Sequence, residues 1–148
     1  MASRIVLDTG PLGRICHPRP NREIADWLER LLREGAIVYI PEIADYEVRR
    51  ELIRAGLQES VNRLDRLKSV LNYLPINTDV MLKAAELWAQ ARNRGSPTAD
   101  PKALDADVIL AASAEAVDGI VIPDNIGHLN LFVEARHWTS FEAPGKPI

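Results

Sequence analysis

The sequence predicts a three-layer α/β/α sandwich around a mostly parallel central sheet, and three observations carry that prediction. Short β-branched runs alternate with segments whose apolar residues recur at helical spacing. The connections between them are mostly short and marked by glycine, proline or asparagine. Strands separated by helices in this way pair in parallel, with helices covering both faces of the sheet. At 148 residues the chain also has the length of a single domain, expected to run from 1 to 148.

Ile5-Val6-Leu7 reads as a buried strand, stopped by the turn-forming Asp8-Thr9-Gly10-Pro11. Asn21 is placed to cap a helix in which Ile24, Ala25, Trp27, Leu28, Leu31 and Leu32 repeat at helical spacing, with Gly35 as its stop. Ala36 to Ile40 is the second strand. Pro41 suits the first turn of a helix that carries Ile43, Tyr46, Val48, Leu52 and Ile53 and ends at Gly56. A further helix covers 59–71. Tyr73-Leu74-Pro75-Ile76 then fits a sheet edge, because proline has no N–H for an inner ladder. Asn77 or Thr78 caps a long helix through Trp88, and 95–101 is a loop rich in turn residues. An alanine-rich helix is expected from Asp105 to Ala116, followed by a strand Gly119 to Ile122 and a last strand at Arg136-His137-Trp138.

Apolar residues make up 47% of the chain and charged residues 26%, an ordinary balance for a folded domain. No apolar run reaches the roughly 18 residues of a membrane span, and the N-terminus shows no signal-peptide pattern, so a cytoplasmic protein is expected. Cys16 stands alone and cannot form an internal disulfide. The formal net charge of -3 argues against a module that binds nucleic acid by broad electrostatic attraction. It leaves room for chemistry in which clustered acids hold a cation that faces phosphate.

Three acids from separate parts of the chain are the candidates for such a cluster. Asp8 directly follows an apolar strand, where a parallel sheet places its sites; its alternative role is to cap the turn that follows. Glu47 borders an apolar helix face, although an ion pair with a nearby arginine is the usual lot of a helical glutamate. Asp107 heads a small-residue face containing Ala111 and Ala114 that allows close packing on the sheet. Asp105 shares its helix, and either aspartate could instead serve the helix dipole. Carboxylates without histidine suit hard cations such as Mg2+ or Mn2+ better than zinc, and such sites perform phosphoryl chemistry.

In order along the chain, Asp8-Thr9, Glu47-Val48-Arg49-Arg50-Glu51-Leu52, Asp107 to Ala114 and Asn125-Ile126-Gly127-His128-Leu129 resemble the PIN-domain family, and within it the VapC-type toxins. The resemblance spans nearly the whole chain. It implies a Mg2+- or Mn2+-dependent endoribonuclease acting on RNA, a homodimer held inactive by a small antitoxin and without a membrane segment. It assigns Asp8, Glu47 and Asp107 as catalytic metal ligands, with Asp105 as a further candidate, Thr9 in support and Asn125 closing the site. The family commonly has threonine or serine where this chain has Pro123, which removes a hydroxyl and a backbone donor from that corner. The alternative is therefore a PIN-fold RNA- or protein-binding module with a degenerate, non-catalytic acidic site.

Other features carry less. Cys16-His17, His128 and His137 fit no recognised zinc spacing. The glycines after Asp8 lack both the dinucleotide fingerprint and a Gly-Lys-Ser/Thr ending. Arg49, Arg50, Arg54, Arg63 and Arg66 read first as a solvated face of ion pairs and second as a contact for RNA or antitoxin.

Overall fold

A computed structural model describes residues 2–19, 22–94 and 101–122. Its elements run β1 (Arg4–Leu7), α1 (Thr9–Cys16), α2 (Arg22–Arg33), β2 (Ile37–Pro41), α3 (Glu42–Arg54), α4 (Gln58–Val70), β3 (Asn72–Leu74), α5 (Thr78–Asn93), α6 (Pro101–Ala116) and β4 (Ile120–Ile122). The four strands form one sheet in the order β3-β2-β1-β4, and every pairing is parallel. All carboxyl ends therefore point to the same edge.

Alternation along β1 explains the layers. Ile5 and Leu7 join Val38, Ile40 and Ile122 in a core with Leu12 and Ile15 of α1, Ile24, Trp27 and Leu31 of α2, Val48 of α3 and Leu64 of α4. Val6 and Val121 face the other way, onto Leu110 and Ala114 of α6. Successive side chains on a strand point to opposite faces, so one fully buried strand serves both layers. α5 packs on α6 through Val80, Ala84, Leu87 and Ala91. Ala111 and Ala114 are fully buried. Their small side chains allow α6 to lie close to its neighbours.

Helix ends follow the expected chemistry in several places. Asn77 caps α5, its side chain accepting the Val80 N–H at 2.9 Å. Gly35 and Gly56 have φ of 85° and 72°, the left-handed conformation that lets the chain leave α2 and α3. Pro41, expected in the first turn of α3, instead closes β2 and is the residue before that turn, and β3 lies at the sheet edge.

Three further expectations are corrected. Residues 9–16 form a helix where only a turn was expected, because Asp8 caps it and Pro11 sits in its first turn, where its missing N–H is not needed. α6 begins at Pro101, so Asp105 and Asp107 are a turn or more inside it and are not first-turn dipole partners. Tyr46 and Ile53 of α3 are exposed, while Asp45 is buried in their stead. Asn21, the 95–100 loop and the Arg136-His137-Trp138 strand lie outside the described residues. Among the described residues no helix is long and apolar enough to cross a membrane.

Candidate active site

The parallel sheet delivers Asp8 to its carboxyl edge. The Asp8 N–H donates to the Ile122 carbonyl at 3.2 Å, extending the β1–β4 pairing one residue past Leu7. This bond fixes the backbone from which the carboxylate emerges. The carboxylate then accepts the Thr9 N–H at 2.7 Å and caps α1. Capping and a site role are thus compatible in one residue, since a second carboxylate oxygen remains.

Thr9 reaches the second acid. Its hydroxyl donates to Glu47 Oε1 at 3.0 Å, joining the start of α1 to the middle of α3. Glu47 Oε2 lies 3.7 Å from Nη2 of Arg50, one turn on and half-exposed. The azimuth of Glu47 is set by what α3 buries. Ala44, Asp45, Val48 and Leu52 face inward, and Asp45 accepts Arg49 Nε at 3.2 Å, Arg49 Nη2 at 3.0 Å and Lys68 Nζ at 3.1 Å. Lys68 belongs to α4, so the buried acid locks α3 to its neighbour.

Asp107 approaches from the opposite layer. It heads the face of α6 that continues through Leu110, Ala111 and Ala114, which packs on Val6 and Val121. Its charge acts on Asp8. Burial first, then the negative charges of Glu47 and Asp107, raise the Asp8 carboxyl from 3.8 to about 6, against the pull of the Thr9 N–H in the other direction. Asp8, Glu47 and Asp107 thus share one electrostatic environment drawn from three elements.

Asp105 stands elsewhere. Two residues separate nearly opposite faces of a helix, and Asp105 is exposed beside Met81, Ala84, Ala85, Trp88, Val108 and Ile109 in a groove between α5 and α6. Asn125, with Pro123, Asp124 and His128, lies outside the described residues. Because Ile122 is bonded to Asp8, the chain leaves β4 beside the carboxylates.

The arginine run is largely engaged within the fold. Arg49 also pairs with Asp65 at 2.7 Å, Arg54 with Glu51 at 2.9 Å, and Arg63 donates to the carbonyls of Cys16 and His17. Cys16 is buried, and its thiol is pushed up to about 12 by burial, the opposite of a reactive or ligating thiol. Sequence reasoning missed Asp45 and the Thr9–Glu47 bond. A signal for Asp45 was present, since it lies beside Ala44 on the stripe Ala44, Val48, Leu52 with Arg49 four residues on.

Among the described residues no three Asp, Glu, His or Cys side chains close into a ready set of ligands. The donor chemistry nevertheless fits a hard divalent cation: carboxylate oxygens from three elements, with the Asp8 carboxyl raised by burial and by the negative charges of Glu47 and Asp107.

A PIN-domain family model matches residues 5–125. The chain belongs to the PIN-domain family. No curated protein sequence matches it. Among solved structures, VapBC2 from Rickettsia felis bound to a DNA fragment from its promoter is similar at a TM-score of 0.75 and 17% identity, covering 91% of this chain and 98% of that one. FitAB bound to the IR36 DNA fragment is similar at 0.71 and 23%, covering 93% and 97%. VapBC-1 from nontypeable Haemophilus influenzae follows at 0.66 and 18%, covering 93% and 99%. At these identities the likeness establishes the PIN fold. PIN domains are generally nucleases, and Asp8 emerges at the carboxyl edge of the sheet, where parallel α/β sheets generally place their ligands.

Proposed function

We propose that this PIN-domain protein is a divalent-metal-dependent endoribonuclease, the toxin of a toxin–antitoxin pair. The observation that carries the reading is the meeting of Asp8, Glu47 and Asp107 in one environment at the carboxyl edge of the sheet, with the Asp8 carboxyl raised to about 6. These three would hold Mg2+ or Mn2+. Bound there, the cation would supply Lewis acidity to a phosphodiester and lower the pKa of coordinated water.

The chain's own residues have definable tasks. Asp8 is held by its cap and by Ile122, Glu47 by Thr9, and Asp107 by the close packing of its face of α6 on the sheet. Asn125, three residues beyond Ile122 in the sequence, is the further site residue that the family resemblance implies, and Asp105 is assigned no role in the site. The toxin role draws on the VapBC and FitAB structures, whose fold this chain shares. It brings with it a small antitoxin partner, a homodimer and a cytoplasmic setting.

The test is cleavage of RNA with Mg2+ or Mn2+ by wild type, Asp8→Ala, Asp107→Asn and Asp105→Asn. Loss of cleavage in the first two variants and its retention in Asp105→Asn is expected. Equal rates for wild type and Asp8→Ala would end the proposal. A non-catalytic binding module draws on Pro123, which stands in the sequence where the family commonly has threonine or serine. Metal titration decides between the two, because only the enzyme requires binding that Asp107→Asn abolishes.

A further inference from the structure

One face of α1 carries a feature the acidic site does not use. Gly10, Gly13, Arg14 and His17 follow one another at i, i+3, i+4 and i+7, and with Arg19 they line a groove of about 440 Å3. The opposite stripe, Leu12, Ile15 and Cys16, is buried in the core, so the groove faces outward from a well-anchored helix. In a chain of net charge -3, none of the described residues that line it is acidic.

We infer that this groove seats a backbone phosphate of the RNA strand beside the phosphate being cut. The inference rests on the ribonuclease reading above and adds a subsite to it. Gly10 and Gly13 contribute backbone to the groove lining at the end nearest Asp8, Gly13 where α1 passes Val48 of α3. Arg14, at a helical rise of 1.5 Å per residue, is displaced about 9 Å along α1 from Asp8, a backbone spacing of the order of that between successive phosphates of a strand. Among the described residues no carboxylate pairs with Arg19.

Two hydrogen-bonding arrangements prepare the far end of the groove for an anion. His17 Nδ1 accepts the Arg19 N–H at 3.1 Å, which places the imidazole proton on Nε2 as a donor. The carboxyl end of a helix repels anions. Here Arg63 of α4 donates to the carbonyls of Cys16 and His17 and covers that negative end. Arginine is the side chain best matched to phosphate oxygens, which it can grip through two parallel bonds.

The experiment measures binding of a labelled single-stranded RNA to the full chain in EDTA, by fluorescence anisotropy across a salt series. Arg14→Gln with Arg19→Gln should weaken binding by about tenfold or more at low salt, and should reduce the slope of log affinity against log salt by about 0.7 for each phosphate no longer neutralised. The pair Arg14→Lys with Arg19→Lys keeps the charge and should keep most of the slope. Wild-type affinity and slope in the glutamine pair, alongside RNA cleavage by wild type with Mn2+, would overturn the subsite and leave the ribonuclease reading standing. Failure of wild type both to bind and to cleave RNA would overturn both. Loss of binding to a protein partner with RNA affinity unchanged would reassign the groove to that partner and overturn the inference.

Discussion

Replacing Asp8 with asparagine should make the metal-free protein more stable while abolishing its activity. Asparagine caps a helix about as well as aspartate, so the Thr9 N–H keeps its acceptor and the substitution isolates the charge. The wild-type carboxyl is raised from 3.8 to about 6 by burial and by the charges of Glu47 and Asp107. Its protonated form is therefore favoured in the folded state. That contribution is fully present below pH 3.8 and is lost as pH rises through about 6. The difference between the two pKa values corresponds to about 3 kcal/mol, and solvent access to the partly buried carboxylate brings the expectation nearer about 2 kcal/mol. With a urea dependence of about 2 kcal/mol per molar, Asp8→Asn should unfold at a midpoint about 1 M higher at about pH 7.5 in EDTA. At about pH 4 the two midpoints should nearly coincide. Excess Mg2+ should then stabilise wild type and leave the variant unmoved, because a ligand stabilises only a fold that binds it. A gap that does not change with pH, or a variant less stable than wild type at about pH 7.5, would refute the electrostatic account.

Further expectations follow from single interactions. Asp45→Ala should destabilise the protein by about 1–3 kcal/mol in urea unfolding, since it takes the buried acceptor from the partly exposed Arg49 and Lys68 while Arg49 keeps Asp65; adding Lys68→Met should recover part of the loss. A Cβ on Gly119 would sit 2.6 Å from Val6 Cγ2, so Gly119→Ala should cost about 1–3 kcal/mol, and Val6→Ala in the same chain should lessen that cost. Thr9→Val removes the hydroxyl bonded to Glu47 at 3.0 Å while keeping the shape; it should lower RNA cleavage by about 10–100-fold and stability by about 1 kcal/mol, and Thr9→Ser should restore most of the rate.

Much of this arrangement is legible in the chain itself. The β-branched runs at residues 5–7, 37–40 and 120–122 announce themselves as strands because a doubly covered parallel sheet requires continuous apolar segments. Helical periodicity places α2 to α5 to within a few residues of their ends, α5 excepted at its C-terminus, because the buried stripe of each is written into consecutive turns. The position of Asp8 at a carboxyl edge follows from strand direction alone. Local chemistry misled at 9–16, where two glycines and a proline read as a turn. Burial of Leu12, Ile15 and Cys16 outweighs that weak propensity, and the Asp8 cap starts the helix.

What the sequence determines by itself is the alternation of strands and helices, the order of the acidic motifs and the PIN-domain kinship they signal. Tertiary structure alone decides which acids meet. It brings Asp107 within electrostatic reach of Asp8 and leaves Asp105 in the α5–α6 groove, buries Asp45 between Arg49 and Lys68, and links Thr9 to Glu47 across 38 residues. Periodicity records which face of a helix is apolar, whereas the partner that face meets depends on packing between distant segments. A carboxylate at a helix boundary looks the same in sequence whether it faces water, an arginine or two other carboxylates. Burial beside two other carboxylates raises its pKa and gathers oxygen ligands in one place.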